Sequence, residues 1–206
     1  IEPVVISKWL NGVSAAATPA QKAAAAELPF IRRIQPVLHG RRPLPPSEPA
    51  LFRPADSGDA PLPYGRSLEQ LEQIQIPAVH QLGLYGQGVR IAVFDTGFRL
   101  NHEAFDSLRV LYKHDFVQDD EELDNQPGER SDQNSHGTMV LSIIAANKPG
   151  ALIGGAPRAE FILAKTEDVA QEIRGEEDNW IAAAEWAEAL GADIFSTSLG
   201  YIDWYT

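Results

Sequence analysis

The sequence predicts an α/β protein whose larger part is a doubly wound parallel sheet, preceded by a small α+β unit. Apolar runs typical of strands alternate with helical patterns from about residue 64 to residue 206. Polar residues suited to chemistry follow two of these strands, at the edge where parallel sheets bind their ligands. Residues 41–63 contain seven prolines and little periodicity, which is typical of an extended linker. We therefore divide the chain into residues 1–40, 41–63 and 64–206.

The composition excludes several classes of protein. The chain has 206 residues, and 44% of them are hydrophobic, which is enough for a core and argues against a disordered or fibrous chain. Its net charge of −12 repels phosphate backbones and anionic membranes, so we expect no nucleic-acid and no membrane partner. The absence of cysteine removes disulfides, thiolate zinc sites and cysteine nucleophiles. No apolar run reaches 18 residues, and no signal peptide follows Ile1, so we expect a processed or partial chain.

Residues 1–40 are predicted to form a β–α–β unit. An apolar, partly alternating run from Val4 to Val13 favours the first strand. Thr18 followed by Pro19 predicts an N-cap and the first position of an alanine-rich helix that extends to about Leu28. A second apolar run from Phe30 to Val37, bounded by prolines, favours a short edge strand. A unit of this size is too small to be stable alone.

The larger unit is predicted to be a parallel sheet covered by helices on both faces. Strands alternate with helices along the chain, and this alternation is typical of such a sheet. The predicted elements are, in order, a leading apolar segment at Leu68–Ile76, a buried strand at Val89–Phe94, a helix from Ser135, a strand at Glu160–Lys165, a helix at Asn179–Leu190 ended by Gly191, and a strand at Asp193–Ser198.

Asp95 ends the first strong strand in the run Phe94-Asp95-Thr96-Gly97, so its carboxylate is predicted to emerge at the carboxyl edge of the sheet. An aspartate at this position could equally cap a turn. The Asp-Thr-Gly triplet also fits an aspartic protease, which requires a second carboxylate in an all-β fold or from a homodimer. The alternation of strands and helices argues against that interpretation.

His136 stands at the start of a predicted helix, in the run Asn134-Ser135-His136-Gly137-Thr138. We expect Ser135 to cap the helix, the imidazole to project from its first turn, and Gly137 to let another backbone approach closely. A lone histidine at a helix start is more often a surface residue than a catalytic one. Its combination with Asp95 and a later serine-rich run changes that balance.

The motifs occur in the order and context of a known enzyme family. Asp95 at a strand end, His136-Gly137-Thr138 opening a helix, and the run Ser196-Thr197-Ser198-Leu199-Gly200 are similar to the motifs of the subtilisin-like serine peptidases, the subtilases. The runs Gly86-Gln87-Gly88-Val89 and Gly155-Ala156-Pro157 add to the resemblance, which covers about residues 64–206. Each motif alone is weak, but four in this order are specific. The chain thus resembles the N-terminal part of a subtilisin-like catalytic domain.

The resemblance implies a role for each matching residue. Asp95 would orient the histidine and stabilise its imidazolium, and His136 would act as the general base that later protonates the leaving amine. Ser198, Leu199 and Gly200 would bind an extended polypeptide substrate and line the pocket for the side chain that precedes the cleaved bond. These residues would make the protein a serine endopeptidase.

The nucleophile is the main departure from the family pattern. The family's serine and its oxyanion asparagine lie downstream of the Ser-Leu-Gly run, beyond Thr206, and Ser196 and Ser198 belong to the substrate strand. We therefore expect this chain alone to be inactive and to need as partner the C-terminal half that carries the serine. The alternative is a non-catalytic module that binds peptides or a partner chain. An unpaired sheet edge near Ser196 to Gly200 also predicts association of the isolated chain.

Residues 1–40 resemble the second half of a subtilase propeptide. The resemblance is carried by Trp9-Leu10-Asn11-Gly12-Val13-Ser14 on a strand, by Thr18-Pro19, and by Leu28-Pro29-Phe30-Ile31 at the start of a final strand. It implies a zymogen whose propeptide packs on the catalytic domain, assists its folding and blocks the cleft. It also implies a secreted or periplasmic protein, with the maturation cut in the linker. An ordinary small α/β lid is the alternative.

Eight acidic residues and one arginine lie from Asp115 to Asp132. Such a run is most simply a solvated loop. It could instead hold calcium, which prefers carboxylate oxygens, or form a rim that attracts basic substrates. We assign Asp132, four residues before His136, to that substrate-binding rim. The usual calcium loop of the family corresponds to Asn147–Leu152, which has no carboxylate, so we assign no metal ligand and no certain cofactor and leave calcium open.

Overall fold

The computed structural model describes residues 1–36, 39–40, 63–173 and 175–201. The proline-rich linker predicted at 41–63 lies outside these residues apart from Pro63, so its conformation stays a prediction. In the described part of the chain, no helix combines the length and the apolar character needed to cross a membrane.

The N-terminal unit begins with an antiparallel hairpin. Its strands are β1 (Glu2–Ser7) and β2 (Gly12–Ala16). The single strand predicted across Val4–Val13 is therefore wrong, because a turn at residues 8–11 reverses the chain. Asn11 has a φ of 48°, in the left-handed region that asparagine tolerates better than most residues.

Helix α1 (Pro19–Ala26) begins with the cap that the sequence predicts. The Thr18 hydroxyl accepts the backbone N–H of Gln21 at 3.3 Å, and the Gln21 side chain accepts the backbone N–H of Thr18 at 2.9 Å. This reciprocal pair is a capping box, which satisfies two N–H groups that the first turn leaves unpaired. The helix ends two residues before the predicted Leu28, and none of its residues is buried.

The second strand predicted at Phe30–Val37 is wrong over the residues that are described. Residues 31–36 have no regular secondary structure. The prolines that bound this run lack the N–H group that a strand ladder needs, which disfavours pairing. A strand of two residues, β3 (His39–Gly40), forms farther along and pairs antiparallel with Glu172–Ile173 of the larger unit.

Two short helices lead into the sheet. They are α2 (Leu68–Gln73) and α3 (Ile76–Gln81), and Gln75 between them has a φ of 59°. The leading apolar segment predicted at Leu68–Ile76 thus forms one helix and the start of a second. Leu71 of α2 is buried and forms a small cluster with Tyr64 and Ile153.

A parallel sheet of four strands forms the centre of the larger unit. In chain order the strands of this unit are β4 (Arg90–Asp95), β5 (Arg109–Asp115), β6 (Asn147–Lys148), β7 (Leu152–Ile153), β8 (Glu160–Lys165), β9 (Glu172–Ile173) and β10 (Ile194–Thr197). The central sheet has the order β10-β4-β8-β5, and every pair in it is parallel. β6 and β7 form a separate small hairpin.

Helices cover both faces of this sheet. They are α4 (Ser135–Ala145) and α5 (Gly175–Ala189). In β4, Val93 belongs to the core cluster that includes residues of α4, whereas the next residue, Phe94, belongs to the cluster that includes residues of α5. Successive strand residues point to opposite faces, so both faces of β4 are buried. The predicted doubly wound α/β sheet is confirmed.

The predicted boundaries in this unit agree closely with the structure. The strand predicted at Glu160–Lys165 coincides with β8. The helix predicted at Asn179–Leu190 is α5, which begins four residues earlier, and Gly191 after it has the positive φ of 80° expected at a helix end. The strand predicted at Asp193–Ser198 is β10, shorter by one residue at each end.

Candidate active site

The carboxylate of Asp95 lies at the carboxyl end of β4, in the interior of the sheet. Asp95 is fully buried, and its Oδ1 accepts a hydrogen bond from the backbone N–H of Thr96 at 2.7 Å. His136 Nδ1 lies 2.7 Å from the same oxygen. A role as a turn cap alone does not account for the histidine contact. The aspartic-protease interpretation does not fit the parallel α/β sheet.

His136 is the second residue of α4, so the helix brings its imidazole to the sheet edge. The histidine side chain is 44% exposed, while that of Asp95 is 0% exposed. The pair therefore has one buried member and one member that reaches the surface. Ser135, which we expected to cap the helix, is instead its first residue, and the N-cap Asn134 makes no side-chain cap bond.

Gly137 allows the close approach of α4 to the end of β4. A Cβ at this position would lie 2.2 Å from the carbonyl oxygen of Gly97 and 3.0 Å from the Asp95 side chain. The Gly137 N–H donates to Thr96 Oγ1 at 3.3 Å. The predicted close backbone approach at Gly137 is confirmed, and only a residue without a side chain permits it.

The chemistry of the pair follows from its hydrogen-bonding capacity. An ionised carboxylate can only accept, so the proton in the 2.7 Å contact is carried by His136 Nδ1. The lone pair of the neutral imidazole then resides on Nε2. A buried negative charge beside the ring also stabilises the imidazolium that forms when Nε2 takes up a proton. The pair can therefore act as an oriented general base.

Lys165, the last residue of β8, is a buried ion partner that the sequence analysis missed. It lies in register with Asp95 on one side and Asp115 on the other. Its Nζ contacts Asp115 Oδ2 at 2.8 Å and also contacts Glu129 Oε1. Burial by itself lowers the pKa of Lys165, but the hydrogen bonds to the two carboxylates outweigh it and raise the pKa. The signal in the sequence that could have revealed this ion partner is a lysine at the end of a largely apolar strand.

The acidic run is partly folded inward. Asp115 and Glu129 are the partners of Lys165, and Asp124 accepts a hydrogen bond from the Asn134 side chain at the start of α4. The interpretation of the run as a solvated loop is wrong for these three carboxylates. In the ranges that the structure describes, no group of three or more histidine, aspartate or glutamate side chains is placed to hold a metal ion.

Asp132, which we assigned to the rim of a cleft, lies in the segment just before α4. Its side chain is 52% exposed, and Arg130 donates to its two oxygens from Nε at 2.9 Å and from Nη2 at 2.6 Å. The Arg130 guanidinium holds the pKa of Asp132 below its usual range. The negative charge is thus offset by a neighbour, which weakens its attraction for a basic ligand.

Ser198, Leu199 and Gly200 follow β10 directly. The last pair of β10 with β4 joins Thr197 to Phe94, so the run continues at the same edge of the sheet that holds Asp95. Ser198 and Gly200 are exposed, and Leu199 is half-buried. These three residues therefore lie at the same sheet edge as Asp95. The direct side-chain contact described above is between Asp95 and His136.

Tyr201 connects this run to the loop after β8. Its hydroxyl donates to Glu167 Oε1. Burial, together with the negative charge of Glu167, raises the pKa of Tyr201, so the phenol remains a protonated donor. The end of the run is thereby tied to the loop after β8, on the far side of β4 in the sheet.

The N-terminal hairpin rests on α5 largely through one carboxylate. Glu185 accepts hydrogen bonds from Ser7 Oγ at 2.6 Å, Lys8 N at 2.9 Å and Trp9 N at 3.0 Å. Trp9 Nε1 donates to Glu188 Oε2 at 3.0 Å. The Ser7 hydrogen bond, with those of the turn backbone, holds the pKa of Glu185 below its usual range. The turn of the hairpin is therefore anchored to the outer face of α5.

Comparison with known proteins links this arrangement to one family. The sequence profile of the subtilase family, peptidase family S8, matches residues 86–204. Subtilisin BL of Lederbergia lenta is 35% identical over 133 residues, which are 63% of this chain and 44% of that protein. The minor extracellular protease Vpr of Bacillus subtilis is 34% identical over 122 residues, which are 58% of this chain and 15% of Vpr. The chain spans less than half the length of these relatives.

A solved structure shares the fold. The MycP3 protease from the type VII (ESX-3) secretion system aligns with a TM-score of 0.52 at 19% identity, over 80% of this chain and 42% of that one. At this identity the likeness concerns the fold alone. The matched range 86–204 contains both Asp95 and His136.

Proposed function

This chain belongs to the subtilase family, and from that premise we propose that it carries the aspartate and the histidine of a serine endopeptidase. Asp95 orients the imidazole, and His136 is the general base. The nucleophilic serine is supplied by a segment that corresponds to the remaining length of the relatives. The substrate is a polypeptide, and the reaction is hydrolysis of its peptide bonds.

The observation that carries this proposal is the 2.7 Å contact between Asp95 Oδ1 and His136 Nδ1. The two residues are separated by 41 positions in the chain and come from a strand end and a helix start. An ion pair that only stabilises the fold does not require either side chain to be exposed to solvent. Here the aspartate is buried and the histidine reaches the surface, as a base that must meet a substrate requires.

Each protein group has a defined task in the proposed reaction. Nε2 of His136 takes the proton of the serine hydroxyl while the serine oxygen attacks the carbonyl carbon of the substrate. The resulting imidazolium gives that proton to the leaving amine as the C–N bond breaks and the acyl group stays on the serine. Water, deprotonated by His136 in the same way, then attacks the ester, and the proton returns to the serine oxygen as the acid leaves. Asp95 does not take up a proton in this scheme. Its carboxylate accepts the hydrogen bond from Nδ1–H and stabilises the imidazolium.

The same proposal predicts that residues 1–206 by themselves do not hydrolyse peptides. The members of such a triad act as a unit, so an aspartate and a histidine without the serine retain little catalysis. The partner required is the polypeptide that holds the serine and the donors for the oxyanion. Hydrolysis appears only when that partner is joined or bound.

Ser198, Leu199 and Gly200 are proposed to bind the substrate backbone. The run directly follows β10 and lies at the sheet edge that holds Asp95. An extended peptide can add to such a backbone by main-chain hydrogen bonds, which favours a polypeptide over a small ester. Asp132 remains a proposed rim residue, with its charge reduced by Arg130.

Residues 1–40 are proposed to act as the end of a propeptide. The hairpin turn is held by three hydrogen bonds to Glu185 on α5. β3 then pairs with β9, which lies between the carboxyl end of β8 and the start of α5. The first contact supports packing of this segment on the larger unit, and the second supports a path of its end towards the loop after β8, from where it would block the cleft. A propeptide of this kind accompanies an exported enzyme, so we propose a secreted or periplasmic location.

A non-catalytic binding module is the second function that an observation favours. β10 is an edge strand of the central sheet, and Ile194 and Phe195 on it are 50% and 36% exposed. An open edge of this kind can pair with an extended peptide or with a partner chain. In this alternative the chain binds polypeptide without cleaving it.

Labelling with a fluorophosphonate serine-hydrolase probe, followed by intact-mass spectrometry of the native material, tests the proposal. We expect label on a serine in a polypeptide that contains this chain or is associated with it. Asp95→Asn should lower the labelling rate by about 10⁴-fold, because the wrong imidazole tautomer is then favoured. His136→Ala should reduce labelling at least as strongly.

Ser142→Ala is the matched control. This serine lies on the same helix as His136, and its hydroxyl donates to Met139 O at 2.7 Å, within the helix. Labelling should be unchanged in this variant. Labelling that survives His136→Ala would contradict the assignment of the base. Peptide binding without any labelled serine would support the binding module instead.

A further inference from the structure

Gln133 is a buried amide to which the proposed reaction gives no role. It is 0% exposed and lies three residues before His136, just ahead of α4. Its Nε2 donates to the carbonyl oxygens of Thr96 at 2.7 Å and of Glu167 at 2.6 Å. Its Oε1 accepts the backbone N–H of Val169 at 3.0 Å. Both amide protons and an acceptor position are therefore used inside the protein.

These bonds define a single orientation of the amide. Exchanging its nitrogen and oxygen would place an oxygen against two carbonyl oxygens and an NH₂ group against an N–H donor. All three bonds thus favour the same side-chain position. A glutamine held in this way is a rigid connection between the backbone segments it contacts.

The segments joined by Gln133 are those that set the geometry of the Asp95–His136 pair. Thr96 follows Asp95 directly, and its N–H donates to Asp95 Oδ1 at 2.7 Å. Thr96 Oγ1 accepts the N–H of Gly137, the residue after His136, at 3.3 Å. Glu167 and Val169 belong to the loop after β8, the neighbouring strand. One side chain therefore links the ends of two strands to the start of the histidine helix.

We propose that Gln133 is a positioning residue that holds the start of α4, and with it His136, against the end of β4. The inference rests on the proposed function, since the position of His136 matters for catalysis only if the pair is the base of the reaction. A buried donor or acceptor left without its partner is costly, so loss of the amide favours separation of the segments. Displacements of about 1 Å in a reacting pair lower rates by about 10²-fold.

Two variants separate the hydrogen bonds of Gln133 from the space it fills. Gln133→Met keeps an unbranched side chain of similar size but leaves Thr96 O, Glu167 O and the Val169 N–H without their partner. Gln133→Asn keeps the amide but is one methylene shorter, so it cannot span the same three groups. If the methionine variant does not fold, the asparagine variant decides the test.

Ser67→Ala is the matched control for a general loss of stability. Ser67 Oγ also joins two backbone segments, donating to Tyr64 O at 2.9 Å or Ile153 O at 2.7 Å and accepting Ile153 N–H at 3.1 Å. These segments belong to the cluster beneath α2, apart from the Asp95–His136 pair.

The readout is the exchange with water of the His136 Nδ1 proton, measured by NMR on the 206-residue chain with labelled histidine. This proton lies in the Asp95–His136 hydrogen bond, and the His136→Gln variant identifies its resonance. We expect exchange about 10- to 100-fold faster in Gln133→Met, and faster exchange also in Gln133→Asn. Ser67→Ala should leave the rate unchanged.

The outcomes distinguish this inference from the proposed function. If the Gln133 variants exchange at the wild-type rate, or if Ser67→Ala accelerates exchange as much as they do, the positioning role is overturned. Asp95→Asn reports on the pair itself. If that variant abolishes protection while the Gln133 variants do not, only the inference fails. If Asp95→Asn leaves exchange unchanged, the pair and the proposed function fail together.

Discussion

The N-terminal unit and the parallel sheet are stabilised by different interactions. In the sheet, Val93 and Phe161 are 0% exposed and belong to a core shared with α4. In the N-terminal hairpin, Val4, Ile6 and Val13 are 71%, 65% and 61% exposed. The hairpin is held to α5 by hydrogen bonds to Glu185 rather than by a core of its own.

This difference indicates which unit contributes most of the favourable free energy of folding. Removal of apolar surface from water is the dominant favourable contribution to folding, and the sheet achieves it on both faces. Helix α1 contributes no buried residue. Most of the buried apolar surface therefore lies in the larger unit, whereas the N-terminal unit is ordered through its contact with α5.

We expect the isolated N-terminal unit to lose its structure completely. A peptide of residues 1–40 should be unfolded in water, because chains of this size rarely bury enough surface to be stable without disulfides, metals or partners. Circular dichroism and NMR dispersion provide the measurement. The chain without residues 1–36 should retain a cooperative unfolding transition. A cooperative melt of the peptide alone would show that the N-terminal unit has a stabilising core of its own.

Two phenylalanine substitutions test the difference in burial between the sheet and the N-terminal unit. Phe161→Ala should lower the free energy of unfolding by about 3–5 kcal/mol, since it removes a fully buried ring from the core. Phe30→Ala is the matched control, because Phe30 is 72% exposed, and its effect should stay within about 0.5 kcal/mol. Denaturant titration measures both. Equal losses would show that the N-terminal unit has a core of its own.

A pair of glycine substitutions gives the next largest effect. Gly137→Ala should cost about 1–3 kcal/mol, because its Cβ would lie 2.2 Å from the Gly97 carbonyl oxygen. At Gly12 in the hairpin the nearest atom to such a Cβ is the Leu10 carbonyl oxygen at 3.8 Å, so Gly12→Ala should be nearly neutral. Thermal or denaturant unfolding tests both variants. A neutral Gly137→Ala would mean that α4 can shift away from β4 without cost.

The smallest expected effect concerns pH and the hairpin turn. The hydrogen bonds from Ser7 and the turn hold the pKa of Glu185 below its usual range in the docked state. Docking is therefore supported above the ordinary glutamate pKa of about 4.3, and this support is lost as the pH falls through the lower docked value. The Trp9 amide resonance, followed by NMR between neutral and acidic pH, should report this undocking.

Glu185→Gln should weaken docking at neutral pH and flatten the acid transition of the Trp9 resonance. Glu69→Gln, at the exposed start of α2, is the control and should leave that transition unchanged. A transition that persists in Glu185→Gln would contradict the assignment of the pH dependence to Glu185.

Features that depend on neighbours in the chain were predictable. The cap at Thr18 and Pro19 follows from local hydrogen bonding and from the fixed φ of proline. The strand Glu160–Lys165 follows from a short apolar run. Asp95 and His136 were identified from motifs at a strand end and a helix start, and the structure joins their side chains.

Features that depend on distant partners were missed or wrong. The apolar run Val4–Val13 does not indicate by itself that a turn divides it into two strands. The acidic run contains no sign that Asp115 and Glu129 meet Lys165, since that lysine is more than thirty residues away. Gln133 has no motif at all, because its three partners lie on two loops that only the folded sheet brings together.

Sequence patterns were enough to predict the α/β class, the order of strands and helices in the larger unit, and the aspartate and histidine motifs. These follow from hydrophobic periodicity and short motifs, which act over a few residues. Packing of the folded chain sets the hairpin, the docking of its turn on Glu185, the inward direction of the acidic run and the connections of Gln133. Each depends on buried polar groups finding partners far along the chain, and that pairing is decided when the sheet and helices pack.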